Sequence, residues 1–166
     1  MSHQEKFRFV VHEHHARQLH YDLRLEINGV LKSWALPKGP SMNPSEKRLA
    51  ILVKDHPLDY AGFEGIIPAG LSGAGPVVVW DEGQYAVVAE RHPRDAFRAG
   101  KMVLELFGRT LKGGFTLFRM KGRGPENWLF VKRKDAYSRP AWRLEMVLTE
   151  QRRAELTERV PPCDTS

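Results

Sequence analysis

Apolar and polar residues alternate along most of the first 130 residues, which is the pattern of half-buried β-strands. The alternation is strict in LHYDLRLEI, which begins at Leu19: leucine and tyrosine occupy the odd positions, and His20, Asp22 and Arg24 are even. Successive side chains of a strand point to opposite faces. The pattern therefore predicts one apolar face toward a core and one face that carries an imidazole, a carboxylate and a guanidinium together.

Turn residues divide the chain into short strands. We predict strands at residues 7–11, 18–27, 30–36, 49–54, 76–81, 84–89, 102–106, 115–120 and 128–132. A Glu82-Gly83 turn is expected to separate the fifth from the sixth, and PRDAFRAG at 93–100 is predicted to be a helix. Many short strands with one helix predict an all-β, mainly antiparallel barrel or sandwich.

An Asn-Gly pair at residues 28–29 predicts a two-residue type I′ hairpin. The register of that hairpin places Arg24 opposite Ser33 and Asp22 opposite Ala35. Small residues beside a charged row leave room for a ligand. The hairpin therefore favours a binding site over a solvated surface.

Four side chains from two segments are predicted to form one metal site: His14, His20 and Asp22, with His56 from DHPLDY. Imidazole nitrogen and carboxylate oxygen together suit a divalent transition metal such as Mn²⁺ or Zn²⁺. Arg24, two residues from Asp22, is placed to hold an anion against that metal. The alternative is a polar strand face with structural histidines.

Lys38 and Arg48 are predicted to join Arg24 around this centre. Lys38 ends the second hairpin strand, and Arg48 shares its sequence parity with His56, which predicts that both face the same side. A metal lowers the pKa of bound water, and cations hold phosphate oxygens. This combination predicts a phosphate-ester site.

The chain has 166 residues and a net charge of +6, with basic clusters at residues 91–101, 112–123 and 132–134. Such a surface favours polyanions, and nucleic acid first. The single cysteine, Cys163, fits a reducing compartment. No apolar run is long enough to span a bilayer. We expect a cytoplasmic monomer without a membrane partner.

The stretches HHARQLHYDLRLEINGVLKSWALPKGPS, DHPLDYAGFEGIIP, GAGPVVVWDEG and NWLFVKRKDA resemble the 3′-phosphoesterase domain of bacterial DNA ligase D and its stand-alone relatives. The resemblance implies a small β-barrel flanked by one or two short helices. It also implies a Mn²⁺-dependent activity on the 3′ ends of DNA or RNA, including primer-templates. That activity removes a terminal 3′-phosphate, or trims a 3′-ribonucleotide, and leaves a 3′-OH for repair.

The resemblance assigns a role to each matching position. It implies the metal ligands His14, Asp22 and His56, the transition-state histidine His20, the phosphate-binding cations Arg24, Lys38 and Arg48, and Tyr60 on the substrate side. Spacing alone counts His20 as a ligand, because it shares a strand face with Asp22. The role of His20 therefore stays open, and His12 is expected to be a bystander.

Only eight residues precede Phe9, where the family has an arm with a KRDF-like motif, so we expect ribonucleotide trimming to be weak. Residues 1–140 are predicted to form the barrel domain, and 141–166 a helical extension and a disordered tail. No ligase or polymerase sequence is attached, so a separate partner of that kind is expected. The alternative functions are a non-catalytic nucleic-acid scaffold of a repair complex and a hydrolase of small phosphoesters.

Overall fold

A computed structural model describes residues 4–162 of the chain as nine strands and two short α-helices. The elements are β1 Phe7–His15, β2 Leu19–Ile27, β3 Val30–Leu36, β4 Arg48–Pro57, β5 Gly65–Ile67, β6 Gly75–Val87, α1 Pro93–Ala99, β7 Lys101–Gly108, β8 Lys112–Arg119, β9 Asn127–Lys132 and α2 Glu150–Glu155. Two 3₁₀ turns lie at Leu58–Tyr60 and Val88–Glu90. The described residues contain no helix that is long and apolar enough to cross a membrane.

Eight strands close into a barrel because β1 pairs with β2 along one edge and with β6 along the other. The ring order is β1-β2-β3-β4-β9-β8-β7-β6, and the short β5 adds to one end of β6. All pairs between these strands are antiparallel. The predicted all-β barrel with two short helices is confirmed.

The odd-numbered residues of β2 point into the barrel, where Leu23 and Leu25 pack with Trp34, Phe115 and other apolar side chains. The even-numbered residues point outward. A second, smaller apolar cluster lies on that outer face, beneath the segment 58–74. The polar row of β2 is therefore enclosed between the barrel wall and this segment, and it does not lie in the barrel interior.

The predicted hairpin has the expected register. Asn28 and Gly29 both have positive φ, at 53° and 79°, as a type I′ turn requires. Arg24 pairs with Ser33, and Asp22 pairs with Ala35.

The predicted reversal at Glu82-Gly83 is wrong, because both residues lie inside the single 13-residue strand β6. Gly83 pairs with Phe9 on one side and Gly108 on the other. A Cβ at Gly83 would overlap the carbonyl oxygen of Phe107. The glycine thus permits close approach of the neighbouring strand. In the sequence, a glycine with this role cannot be distinguished from a glycine in a turn.

The predicted C-terminal helix is shorter than expected. The apolar residues Trp142 to Leu148 were expected to belong to it, but they are not helical, and α2 begins at Glu150. The backbone N–H groups of Val147 and Leu148 donate to the Glu13 carboxylate, at 2.7 and 3.0 Å, so they are engaged by the barrel. Trp142 and Val147 pack against the barrel core. The predicted disordered tail covers the last six or seven residues, of which residues 163–166 lie outside the described part of the chain.

We predict that Glu13→Gln destabilises the fold by about 1–3 kcal/mol. Glu13 is fully buried and also accepts from Tyr21 Oη and His15 Nε2, at 3.4 and 2.7 Å. Glutamine would replace one carboxylate oxygen, which accepts hydrogen bonds, with an NH₂ group, which donates them. That group would face the N–H and O–H donors that now bind Glu13. Urea unfolding measures the change, and Glu5→Gln, at an exposed position, is the control. Equal stability of both variants would contradict the anchoring role of Glu13.

Candidate active site

The site is built on the outer face of β1 and β2. His14 pairs with His20, and His12 pairs with Asp22. Side chains that are directly opposite in an antiparallel pair lie on the same face. The two strands therefore present three imidazoles around one carboxylate. The alternation in β2 predicted the two residues that β2 contributes, His20 and Asp22.

Asp22 holds one histidine at each of its oxygens. His14 Nδ1 lies 3.3 Å from Oδ2, and His20 Nε2 lies 3.4 Å from Oδ1. The donor atoms of His14, His20 and Asp22 are all within 4.8 Å of one another, which is close enough for the three to hold one metal ion. Two imidazoles and a carboxylate fit a divalent transition metal. This group contains His20, as strand parity predicted, and does not contain His56.

His56 reaches the outer face through a β-bulge in β4. Leu31 pairs with His56, but Ser33 pairs with Val53, so β4 has one extra residue between these pairs. A bulge reverses the facing of all residues beyond it. The prediction that His56 and Arg48 share a face is therefore wrong. Arg48 pairs with the buried Phe130 and lies on the inner face of the sheet.

Arg24 lies between Asp22 and His56. Its side chain is 3% exposed. Its Nη2 donates to Asp22 Oδ2 at 3.3 Å, and its Nη1 lies 3.1 Å from His56 Nδ1. The guanidinium carbon also lies 4.8 Å from the centre of the Tyr60 ring. The arginine is thus fixed at the centre of the site rather than free at its rim.

His12 and Ser33 hold Arg24 in this position. Arg24 Nε donates to His12 Nδ1 at 3.1 Å, and Nη1 donates to Ser33 Oγ at 2.9 Å. The opposite ring nitrogen of His12 donates to the Phe63 carbonyl oxygen at 3.1 Å. His12 is fully buried. It was expected to be a bystander, although its even position beside His14 was the signal for a place on this face.

Charges within the site follow from burial and from Arg24. Burial raises the pKa of Asp22, but Arg24 and the hydrogen bonds from His14 and His20 outweigh it and hold that pKa well below its usual range. Burial, followed by the Arg24 charge, lowers the pKa of His56 to about 4. Burial lowers the pKa of His20, but its hydrogen bond to Asp22 prevails and raises it. At neutral pH, Asp22 is therefore anionic and His56 is neutral.

A cavity of about 320 Å³ opens over these side chains. Its lining includes His14, His20, Asp22, Arg24, His56, Tyr60 and Pro161. The Gly-rich segment 70–75 forms one wall. Within it the Gly73 carbonyl accepts from His14 Nε2 at 2.7 Å, a contact that the sequence did not suggest.

Lys38 and Arg48 do not line this cavity. Lys38 is exposed in the turn after β3, and Arg48 donates to Glu46 Oε2 at 3.2 Å. Their roles as phosphate-binding cations stay predictions.

Comparison with known proteins identifies the family of the chain. Residues 12–119 match the family model for the DNA ligase D 3′-phosphoesterase domain. The chain belongs to this family. Residues on the outer face, from His12 to Tyr60, all fall within the matched range.

Curated relatives are "Multifunctional non-homologous end joining protein LigD" proteins. The one from Pseudomonas aeruginosa is 47% identical over 92% of this chain and 18% of its own length. The one from Mycolicibacterium smegmatis is 42% identical over 86% of this chain and 19% of its own length. In Mycobacterium tuberculosis, the "DNA repair protein LigD" is 46% identical over 76% of this chain and 16% of its own length. The chain thus spans less than a fifth of the length of these relatives.

We predict that the stability of the metal-free protein falls as pH is lowered from 6.5 toward about 4. His56 has a pKa of about 4 when folded and an ordinary value of 6.5, so the unfolded chain binds more protons in this window. His12, whose pKa is also lowered, acts in the same direction. His20, whose pKa is raised above 6.5, adds little to the slope in this window, because its stabilising contribution is fully present below pH 6.5 and is lost only as pH rises through its folded pKa.

Urea unfolding in EDTA across this pH range measures the slope. His56→Gln should make the slope shallower. An unchanged slope would show that His56 is not held neutral by the site.

Proposed function

We propose that this protein removes 3′-phosphates from nucleic acid ends in a reaction that depends on a divalent metal. The observation that carries the proposal is the grouping on the outer face: a buried carboxylate with two imidazoles on one side and a fixed guanidinium on the other. The family supports 3′-phosphoester chemistry, and the names of the relatives support a place in end joining.

His14 and Asp22 would hold the metal, with His20 or His56 as a further ligand. The donor set suits Mn²⁺ or Zn²⁺, and Mn²⁺ is proposed first on the family resemblance. The Nδ1 atom of His56 lies 3.1 Å from Arg24 Nη1 and 3.1 Å from the Lys54 carbonyl oxygen. In the tautomer whose Nδ1–H donates to the Lys54 carbonyl, the lone pair of Nε2 is available for coordination. When bound, the metal would supply a water of lowered pKa and would offset phosphate charge.

Arg24 would bind the phosphate. His12 and Ser33 fix two of its N–H directions, so little reorganisation is required when an anion arrives. Charge-assisted hydrogen bonds to phosphate oxygens are roughly twice as strong as neutral ones. Lys38 and Arg48 are proposed as further phosphate contacts on the family resemblance alone.

His20 would act on the leaving group. Its hydrogen bond to Asp22 favours the protonated ring, and its side chain is 25% exposed toward the cavity side of the cluster. As the bond between phosphorus and the 3′ oxygen breaks, a proton must reach that oxygen to give the 3′-OH. His20 is the proposed donor, and Tyr60 would line the substrate side of the cavity.

A second substrate and a partner belong to the same proposal. Trimming of a 3′-ribonucleotide is the further activity, on DNA or RNA ends or on a primer-template. A ligase or polymerase would then use the 3′-OH that the protein leaves.

We predict that the protein with Mn²⁺ converts a duplex primer ending in 3′-phosphate to a 3′-OH primer. Arg24→Gln and Asp22→Asn should each lose on the order of 10²–10³ in rate, because each removes a positioned charge. Gel mobility and released phosphate measure the reaction, and a primer ending in one 3′-ribonucleotide tests trimming in parallel. Lys134→Gln, an exposed substitution, is the control.

Binding of the primer without turnover would overturn the proposal in favour of a non-catalytic scaffold. Turnover of a small phosphoester, such as a cyclic nucleotide, with none of the primer would favour a small-molecule hydrolase.

We predict that His20→Ala and His14→Ala differ. If His20 acts on the phosphate, His20→Ala should keep its Mn²⁺ affinity and lose most turnover. His14→Ala should weaken Mn²⁺ binding itself, and excess Mn²⁺ should restore part of its activity. Calorimetric Mn²⁺ titration of both variants separates these roles. Equal loss of Mn²⁺ affinity would make His20 a ligand.

A further inference from the structure

A larger groove lies on the far side of the barrel. It has a volume of about 720 Å³ and is formed by the outer face of β8, the end of α1 and the residues that follow β8. In the ring of eight strands, β8 is four strands from β2 in either direction. The groove is therefore opposite the candidate active site and shares none of its lining residues.

The rim of the groove is basic. Its lining contains no acidic residue and five cations that are available to a ligand: Lys47, Lys101, Arg119, Lys121 and Arg133. Within residues 4–162, none of the five takes part in an ion pair. A sixth cation, Lys132, is buried and is paired with Asp135 at 2.7 Å. Five cations without an ion-pair partner thus lie around one groove, and they repel one another until an anion arrives.

Arg119 marks the inner end of the groove. Its guanidinium carbon lies 5.2 Å from the centre of the Trp128 ring, so the side chain packs against the barrel. Its Nε is buried and has no hydrogen-bond partner among the described residues. A phosphate oxygen would reach this donor only after the side chain shifted outward, because Nε has almost no exposed surface.

The floor of the groove is apolar. Phe118 and Val131 project outward from β8 and β9, and both are half-buried, with Met120 and Ala99 at the edges. A partly exposed aromatic ring between cations is the arrangement that binds single strands, where phosphates meet the cations and bases stack on the ring. A duplex offers its phosphates but keeps its bases paired. An acidic peptide matches the rim but does not require the aromatic floor.

We propose that this groove binds a single-stranded segment of nucleic acid, separately from the end that enters the candidate active site. The proposal rests on the proposed function for the identity of the polyanion, because charge alone also attracts acidic proteins. A protein that acts on broken ends meets unpaired strands beside the end that it processes. The groove would hold such a strand while the cavity holds the 3′ end.

Fluorescence anisotropy with a labelled oligothymidine of about 12 nucleotides tests the groove. The oligonucleotide ends in 3′-OH and the buffer contains EDTA, so no hydrolysis is involved. Lys101→Gln/Lys121→Gln should weaken binding at least tenfold and reduce the slope of log K against log salt by about 1.4, as expected for two lost phosphate contacts. The matched control is Lys134→Gln/Arg153→Gln, which removes two exposed charges outside the groove and should change affinity less than threefold.

Phe118→Ala tests the floor. It should weaken oligothymidine binding roughly 5–100-fold through lost stacking and leave the salt slope unchanged. Circular-dichroism melting confirms that each variant is folded.

Several outcomes would overturn the proposal. Equal weakening by the control pair would reduce the groove to general surface charge. Tighter binding of duplex, with no effect of Phe118→Ala, would assign the rim to duplex phosphates. Competition by polyglutamate at lower concentration than by oligothymidine would assign the groove to an acidic protein. None of these results depends on 3′-phosphate removal. Failure of the groove proposal can therefore be distinguished from failure of the proposed function.

Discussion

The pairing of Asp22 with Arg24 is the interaction on which the outer face of the barrel depends. Both side chains are almost fully buried, and a buried charge is costly unless it is paired and hydrogen-bonded. The surrounding side chains satisfy both members: His14 and His20 contact the carboxylate, while His12 and Ser33 contact the guanidinium. The loss of either charge would leave the other buried and uncompensated. The same pair sets the protonation of its neighbours. The stability of this face and the proposed chemistry therefore both depend on the pair.

The period of two in β2 explains why a fold and a site can share one strand. Odd residues complete the barrel core, and even residues form the site. A register slip of one residue would exchange the two sets. The hairpin turn at Asn28 and Gly29 prevents that slip, because its positive φ angles fix which residues pair. Segment 58–74 then covers part of the outer row, so that Asp22 and Arg24 are buried without lying in the core.

Much of this architecture could be predicted from the sequence, because alternation and turn chemistry are local signals. The β2–β3 hairpin, the shared face of His20, Asp22 and Arg24, and the barrel class all follow from them. Features that depend on contacts between distant strands could not be predicted. In the sequence Gly83 resembles a turn residue, yet a glycine is needed there because the backbone of Phe107 lies too close for a Cβ. The bulge that turns His56 outward has no signal in the sequence. The extended residues before α2 have a helical composition, but Glu13 takes their backbone N–H groups.

The central claim is that Asp22 organises a metal centre on the outer face of the barrel. Crystals soaked in Mn²⁺ and measured at a wavelength where manganese scatters anomalously test it most directly. The account predicts one anomalous peak in the cavity, at about 2.0–2.3 Å from donor atoms of His14 and Asp22. A second imidazole nitrogen within that distance would show whether His20 or His56 completes the site. A map with no peak at Asp22, from crystals with ordered manganese elsewhere on the protein, would contradict the account.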